Sequence, residues 1–351
     1  MRQINKLEAL LQSQFGWHKS RVNCMSLFMI SLIKVRTVNL TQIALALNPR
    51  VSAASNYRRL QRFFALFELD LNALARFVVA LLPVKDNFTL TLDRTNWKLG
   101  RSNINFLVLA IAYKGTAFPV LWSLLDKRGN SHTCERIDIL QRFFTLFGKD
   151  KIHCLLADRE FIGDDWIAWL KREQIRFYIR IRSNAQVATQ NGLQRIDRSF
   201  EHLKVGQHCC LATTKQIYGQ RVRVAGLRLT DDYLILITNH LPERALLYYK
   251  KRWQIETLFG SLKSRGFNFE DTHLTHSTRL SKLMGLLTLT FCWAHLVGEW
   301  RQQIKPIHFK THKRMAYSLF RYGLDYLREI LFNIQVKRTQ FYKAVEILSC
   351  T

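Results

Sequence analysis

Apolar side chains recur at three- and four-residue spacing through residues 1–84, the period of helices with one buried face. Within this region QIALALNPRVSAASNYRRLQRFF (42–64) predicts helix, turn, helix. Asn48-Pro49 ends the first helix, because a residue before proline avoids the helical region, and Ser52 or Ser55 caps the second. From Lys85 the period changes. NFTLTLDRTNWKL (87–99) alternates and is rich in β-branched residues, so it predicts a strand, and INFLVLAIAYKGTAFPVLWSLL (104–125) predicts two more around Lys114-Gly115. SHTCERIDILQRFFTLFG (131–148) returns to helical spacing, with Ser131 as cap and Gly148 as stop. IHCLLADREF (152–161) reads as a buried strand, DDWIAWLKREQ (164–174) as a helix and RFYIRIR (176–182) as a strand. Three strands, helix, strand, helix, strand imply a mixed sheet covered by helices.

Residues 183–231 carry short alternating segments such as QRVRVAGLRLT (220–230) and predict a β-rich insertion. DYLILITN (232–239) is a strand suited to return to the main sheet. From Leu241 the chain is helical almost to its end. MGLLTLTFCWAHLVGEW (284–300) is interrupted by threonine and histidine and reads as a buried helix, so no membrane partner is expected. The amphipathic stretch YSLFRYGLDYLREILFNI (317–334) suits either a dimer interface or a helix docked on its own domain. The expected domains are a helical region at 1–84, an α/β domain at 85–280 with the insertion near 183–231, and a helical C-terminal region at 281–351.

Charge changes the picture. Among 351 residues, 53 Lys and Arg face 26 Asp and Glu, a net charge of +27. Such an excess repels itself and points to a polyanionic partner, double-stranded DNA first. In the helix-turn-helix candidate, Tyr57, Arg58, Arg59 and Arg62 are the side chains to place on DNA, against the plainer reading of a solvated basic face. The seven cysteines include no C-x-x-C pair, which suggests reduced thiols in a cytoplasmic, nucleoid-associated protein, and no secretory signal is visible at the N-terminus. His273 and His276 in THLTH (272–276) lack the partners of a zinc site. No P-loop or G-x-S-x-G element appears.

The candidate chemistry lies in three acids. In ALLYYKKRWQIETLFGSLKSRGF (245–267), a single helix would set Tyr249, Arg252, Glu256 and Lys263 within an arc of about 60°. On that helix alone, Arg252 and Glu256 are satisfied as an exposed i,i+4 ion pair. Asp93, however, sits inside the apolar strand TLTLDRT, and Asp158 ends LLADREF. A carboxylate at such a place is costly unless paired, hydrogen-bonded or bound to metal. With the two strands as neighbours, Asp93, Asp158 and Glu256 would form an oxygen-ligand cluster suited to Mg²⁺ or Mn²⁺.

These motifs resemble those of DDE-type insertion-sequence transposases, in the branch with a Y-x2-R-x3-E-x6-K signature. Tyr249, Arg252, Glu256 and Lys263 match that signature, TLDRTNW matches the first aspartate block and LLADREF the second. RGFNFEDTHLT (265–275) resembles the segment that follows, and the likeness covers about 85–280. The resemblance implies an RNase H-like fold with a β-rich insertion before the glutamate. It implies two Mg²⁺ ions (Mn²⁺ substituting) held by Asp93, Asp158 and Glu256, with Tyr249, Arg252 and Lys263 on the DNA. The activity implied is cleavage of transposon ends at terminal inverted repeats and joining to target DNA through a hairpin intermediate, by a homodimer across two paired ends. Relatives carry a tryptophan in the insertion that stacks on a flipped base. Here no tryptophan falls between 170 and 252, leaving Phe177, Tyr178, Phe200, Tyr218, Tyr233 or, outside the insertion, Trp97 as substitutes. The alternatives are a structure-selective nuclease of resolvase type, which has little need of Tyr249 and Lys263 beside Glu256, and a non-catalytic DNA-binding derivative, which has no need of three intact acids.

Overall fold

A computed structural model describes residues 4–189, 192–311 and 313–349. Five helices open the chain: α1 (Asn5–Phe15), α2 (Lys19–Val35), α3 (Leu40–Leu47), α4 (Ala53–Leu66) and α5 (Leu71–Leu81). The turn between α3 and α4 matches its sequence. Asn48 ends α3, the Ser52 hydroxyl accepts from the Ser55 amide, and the buried Asn56 amide donates to the carbonyls of Ala44, Asn48 and Val51.

The sheet region follows the predicted order: β1 (Phe88–Leu99), β2 (Ser102–Tyr113), β3 (Thr116–Leu124), α6 (Thr133–Phe147), β4 (Ile152–Ala157), α7 (Asp164–Arg172) and β5 (Phe177–Ile181). The cap of α6 is His132 rather than Ser131. The His132 amide donates to Glu135 at 2.6 Å, while Ser131 is drawn aside to accept from the Arg136 guanidinium. β6 (Gln186–Thr189), β7 (Gly192–Arg195), β8 (His208–Cys210), β9 (Lys215–Ile217), β10 (Gln220–Arg228) and β11 (Tyr233–Thr238) come next. Among the described residues the main sheet runs β3-β2-β1-β4-β5-β11-β10-β8, with β9 on β10. β4 is parallel to β1 and to β5, whereas β2 and β3 form an antiparallel pair. The order 3-2-1-4-5 with this mixture of directions is RNase H-like. The predicted insertion divides: β6 and β7 form a separate hairpin, while β8 and β10 extend the main sheet, because β10 alternates buried Val222 and Val224 with exposed arginines and pairs along its length with β11.

The remaining helices are α8 (Ala245–Tyr249), α9 (Trp253–Leu262), α10 (Ser277–Ile304), α11 (Leu319–Phe332) and α12 (Arg338–Glu346). The single helix expected across 245–267 is therefore broken by a 3-10 turn at Lys250–Arg252 and stops at Leu262. Helix α10 is long and apolar enough to cross a bilayer, but 94% of its apolar window is buried within the protein, as in a core helix.

Two compact units result. One comprises residues up to Pro83, Trp97–Ile104 and the chain from Leu258 onward; the other comprises Val84–Asn96 and Asn105–Thr257. In the first, the opening helices pack on α10 and α11. The Lys282 ammonium donates to the Phe64 carbonyl at 2.7 Å and Arg328 to the Lys34 carbonyl at 3.1 Å. Stretch 317–334 is docked here rather than left as a free interface. A Cβ on Gly298 would lie 1.9 Å from the Leu319 carbonyl oxygen, and one on Gly323 would lie 1.8 Å from that of Ala294. Helices α10 and α11 thus cross backbone against backbone, and only glycine permits that approach. In the second unit, helix α8 covers the sheet through a core of Cys154, Leu156, Tyr178, Ala225, Leu236, Ala245 and Tyr249.

Candidate active site

Strand pairing builds the first part of the site. β1 and β4 run parallel with Leu92 opposite Ala157, so the next residues, Asp93 and Asp158, emerge side by side at the same end of the sheet. Both are half-buried. Burial pushes the Asp93 carboxyl up to about 7; the Arg94 amide and Arg252 pull it down, and Glu160 and Asp158 add to the rise. Asp93 Oδ1 accepts from the Arg94 amide at 2.7 Å.

The 3-10 turn brings the second part. At three residues per turn, positions i and i+3 eclipse, which sets Arg252 under Tyr249 with its guanidinium 5.5 Å from the ring centre. The Arg252 side chain, 5% exposed, donates to Asp93 Oδ2 at 3.4 Å and to Glu256 Oε1 at 2.5 Å. The Tyr249 hydroxyl donates to Asp158 Oδ1 at 3.3 Å, and burial raises the pKa of that phenol. Three of the predicted helix residues and the two strand acids are thus linked: Arg252 joins Asp93 to Glu256, and Tyr249 holds Asp158. The exposed ion pair expected of the helix alone becomes a bridge to a strand 159 positions earlier in the chain.

Lys263 belongs to the other unit. Its ammonium pairs with Glu270 at 2.7 Å and lies 5.4 Å from the centre of the Trp97 ring. On α4, Arg58 and Arg62 are exposed and Tyr57 is half-buried, whereas Arg59 turns inward to donate to Asn23 at 2.6 Å. Tyr57 and Arg62 line a cavity of about 570 Å³ with Asn39, Gln61, His273 and Arg279. Of the aromatic substitutes, Phe177, Tyr178, Phe200 and Tyr233 are buried in the core and present no face to a base; Phe200 lies against Gly226, where an added Cβ would meet its ring at 2.5 Å. Trp97 packs on Phe269 at 4.7 Å. Tyr218 is half-buried, and outside this set Trp253 is 58% accessible, with the Arg252 guanidinium 5.0 Å from its centre. It falls one position past the interval in which a tryptophan was sought.

A brace around the acids was not read from the sequence. Arg94 makes a two-pronged bridge to Glu160 at 2.6 and 2.8 Å and donates to Asn105 and the Gly129 carbonyl. Buried Arg136 donates to the carbonyls of Ile162, Ser131 and Glu160 and lies over the Phe161 ring. Together they fix the loop that follows Asp158. The only signal was a pair of charges, Arg94 and Glu160, lying near each aspartate in sequence.

Oxygen donors from three carboxylates suit a hard divalent cation. A second cation would also relieve the buried Asp93, whose carboxyl is otherwise raised toward neutrality. Among the described residues no group of three His, Cys, Asp or Glu side chains is placed to hold a metal ion, so the expected cluster of Asp93, Asp158 and Glu256 is not assembled here; the Arg252 guanidinium bridges Asp93 and Glu256 as their counter-charge.

The family described as "Transposase DDE domain" matches residues 84–293. Among solved structures, a cryo-EM structure of a piggyBac transposase synaptic complex with hairpin DNA aligns at 10% identity, covering 95% of this chain and 76% of its own, with a TM-score of 0.49. No curated protein matches.

Proposed function

From the premise that this chain belongs to the transposase DDE-domain family and is a DDE transposase, we propose that it binds the terminal inverted repeats of its own insertion sequence, cleaves the ends and joins them to target DNA. The observation that carries this reading is the side-by-side emergence of Asp93 and Asp158 from parallel strands, with Glu256 tied to Asp93 through Arg252. These three carboxylates would hold the divalent ions, two Mg²⁺ with Mn²⁺ as substitute. Bound there, the metal supplies a lowered pKa for the attacking water or hydroxyl and charge relief at the phosphate.

The chain's own residues do the rest. Tyr249 orients Asp158 through its hydroxyl, and the Arg94–Glu160 brace holds the strand ends in register. Arg252 neutralises Asp93 and Glu256 before substrate arrives and is the cation placed to meet a DNA phosphate when they change partner. Lys263, in the other unit, serves the DNA as well. Tyr57, Arg58, Arg59 and Arg62 serve the repeat DNA within the N-terminal helical domain, Arg59 by bracing α4 on α2. The ends pass through a hairpin, and Trp253 is the aromatic face for the unpaired nucleotide. Two protomers act on two paired ends.

The test is purified protein with Mg²⁺ and DNA bearing the inverted repeats that flank its gene. Cleavage at the repeat boundary is expected, with a loss of at least about 10³-fold in Asp93→Ala, Asp158→Ala and Glu256→Ala. Trp253→Ala is expected to nick the end but to form little hairpin. Repeat-independent cutting of branched DNA, or full activity in Glu256→Gln, would overturn the reading.

A further inference from the structure

The ends of β4 and β5 opposite the carboxylates carry a second concentration of cations. Tyr178 of β5 lies opposite Thr238 of β11, which in turn lies opposite Arg223 of β10. Side chains alternate along a strand, so Arg176, His240 and Arg223 fall on the same face as Tyr178. Asn239 keeps the two chains together beyond the strand ends, accepting from the Phe177 amide at 3.2 Å and donating to the Ile175 carbonyl at 2.8 Å. Helix α8 covers that face only from Ala245 onward, and Arg244 precedes it. Tyr248 of α8 stacks on Tyr178 at 5.2 Å and meets His153 at 5.0 Å, with the Lys251 ammonium 5.4 Å from its ring centre.

Arg176, Arg223, Arg244 and Lys251 are exposed, and among the described residues none of them forms an ion pair. The pKa values of His153 and His240 are lowered, by burial first and then by neighbouring cations: Arg176, Lys251, His240 and Arg244 act on His153, and Arg176, Arg244 and Arg223 on His240. The acid beside them is exposed Glu243, which acts on Cys210. A set of cations that repel one another and lack acid partners is at its lowest energy against a polyanion.

We infer that Arg176, Arg223, His240, Arg244 and Lys251 form a sequence-independent binding surface for the phosphate backbone of duplex DNA, distinct from the carboxylate site. His153 and Asp158 lie five residues apart on one strand, about 17 Å at 3.3 Å per residue, so the surface grips DNA away from the reacting phosphate. This rests on the reading of the chain as a DNA-processing enzyme. The aromatic Tyr248, already stacked on both sides, stiffens the surface rather than reading a base.

The experiment measures affinity of the full chain for a short duplex without inverted repeats, across a salt series. The triple variant Arg176→Gln/Arg223→Gln/Arg244→Gln is expected to bind about tenfold or more weakly at moderate salt, with the slope of log K against log salt shallower by about 2–3. An unchanged slope in the triple variant overturns the surface, as does a loss confined to a polyglutamate probe, which would mark an acidic protein as the partner. Cleavage of repeat-bearing DNA is read separately on the unaltered chain. Its absence would count against the transposase reading, while the salt slope alone decides this one.

Discussion

The carboxylate site and the crossing of α10 with α11 are held by opposite means. At the crossing, two glycines bring backbones together with no room for a methyl group. At the site, one buried guanidinium is shared between two acids, a phenol holds the third, and burial first, with Glu160 and Asp158 adding to it, pushes the Asp93 carboxyl up to about 7. The first arrangement has one solution. The second has alternatives, since every contact Arg252 makes can be exchanged for a cation or a phosphate. A catalyst that must take up metal and DNA and release them needs the second kind of region, and a fold that must survive those exchanges needs the first.

The strongest way to break this contrast is to add one methyl group at the crossing. Gly323→Ala is expected to cost about 3 kcal/mol or more in denaturant unfolding, because the neighbour is a backbone carbonyl that cannot move aside. A neutral result would mean that the helices are not locked. The site should show its looseness through pH. Asp93 is raised from 3.8 to about 7, so between those values the folded state binds a proton that the unfolded state has lost. Its contribution is therefore full below about pH 3.8 and is lost as pH rises through 7, a fall of at most about 4 kcal/mol in metal-free buffer, reduced by the solvent that reaches the half-buried side chain. Melting curves should show that fall, Asp93→Asn should flatten it, and Mg²⁺ should suppress it. The smallest effect is expected at the brace: Glu160→Gln removes the charge from a two-pronged bridge and should cost about 1–2 kcal/mol, with cleavage reduced but not abolished.

What the sequence made legible follows the same division. Asp93 and Asp158 stood out because a carboxylate at the end of an apolar strand has few physical excuses, and the strand order that joins them follows from alternation and helix spacing. The 3-10 turn at Lys250–Arg252 was not legible, because its cause is a contact with Asp93 far back in the chain. The same holds for Arg136, whose partners are mostly carbonyls and leave no mark in residue type. Gly298 and Gly323 lie in different helices, and nothing in either helix announces the other. Burial, not composition, decides which ring is accessible: Phe177, Tyr178, Phe200 and Tyr233 are buried, whereas Trp253 is exposed.

The division of the chain into two units has a consequence for how this protein can change. The passages from one unit to the other fall between Pro83 and Val84, Asn96 and Trp97, Ile104 and Asn105, and Thr257 and Leu258. Three of them lie inside β1, β2 and α9 rather than in linkers. No single cut frees a whole unit, and neither can be exchanged as a cassette by joining genes end to end. A lineage built this way inherits the two units as one indivisible text, and must revise both by point substitution.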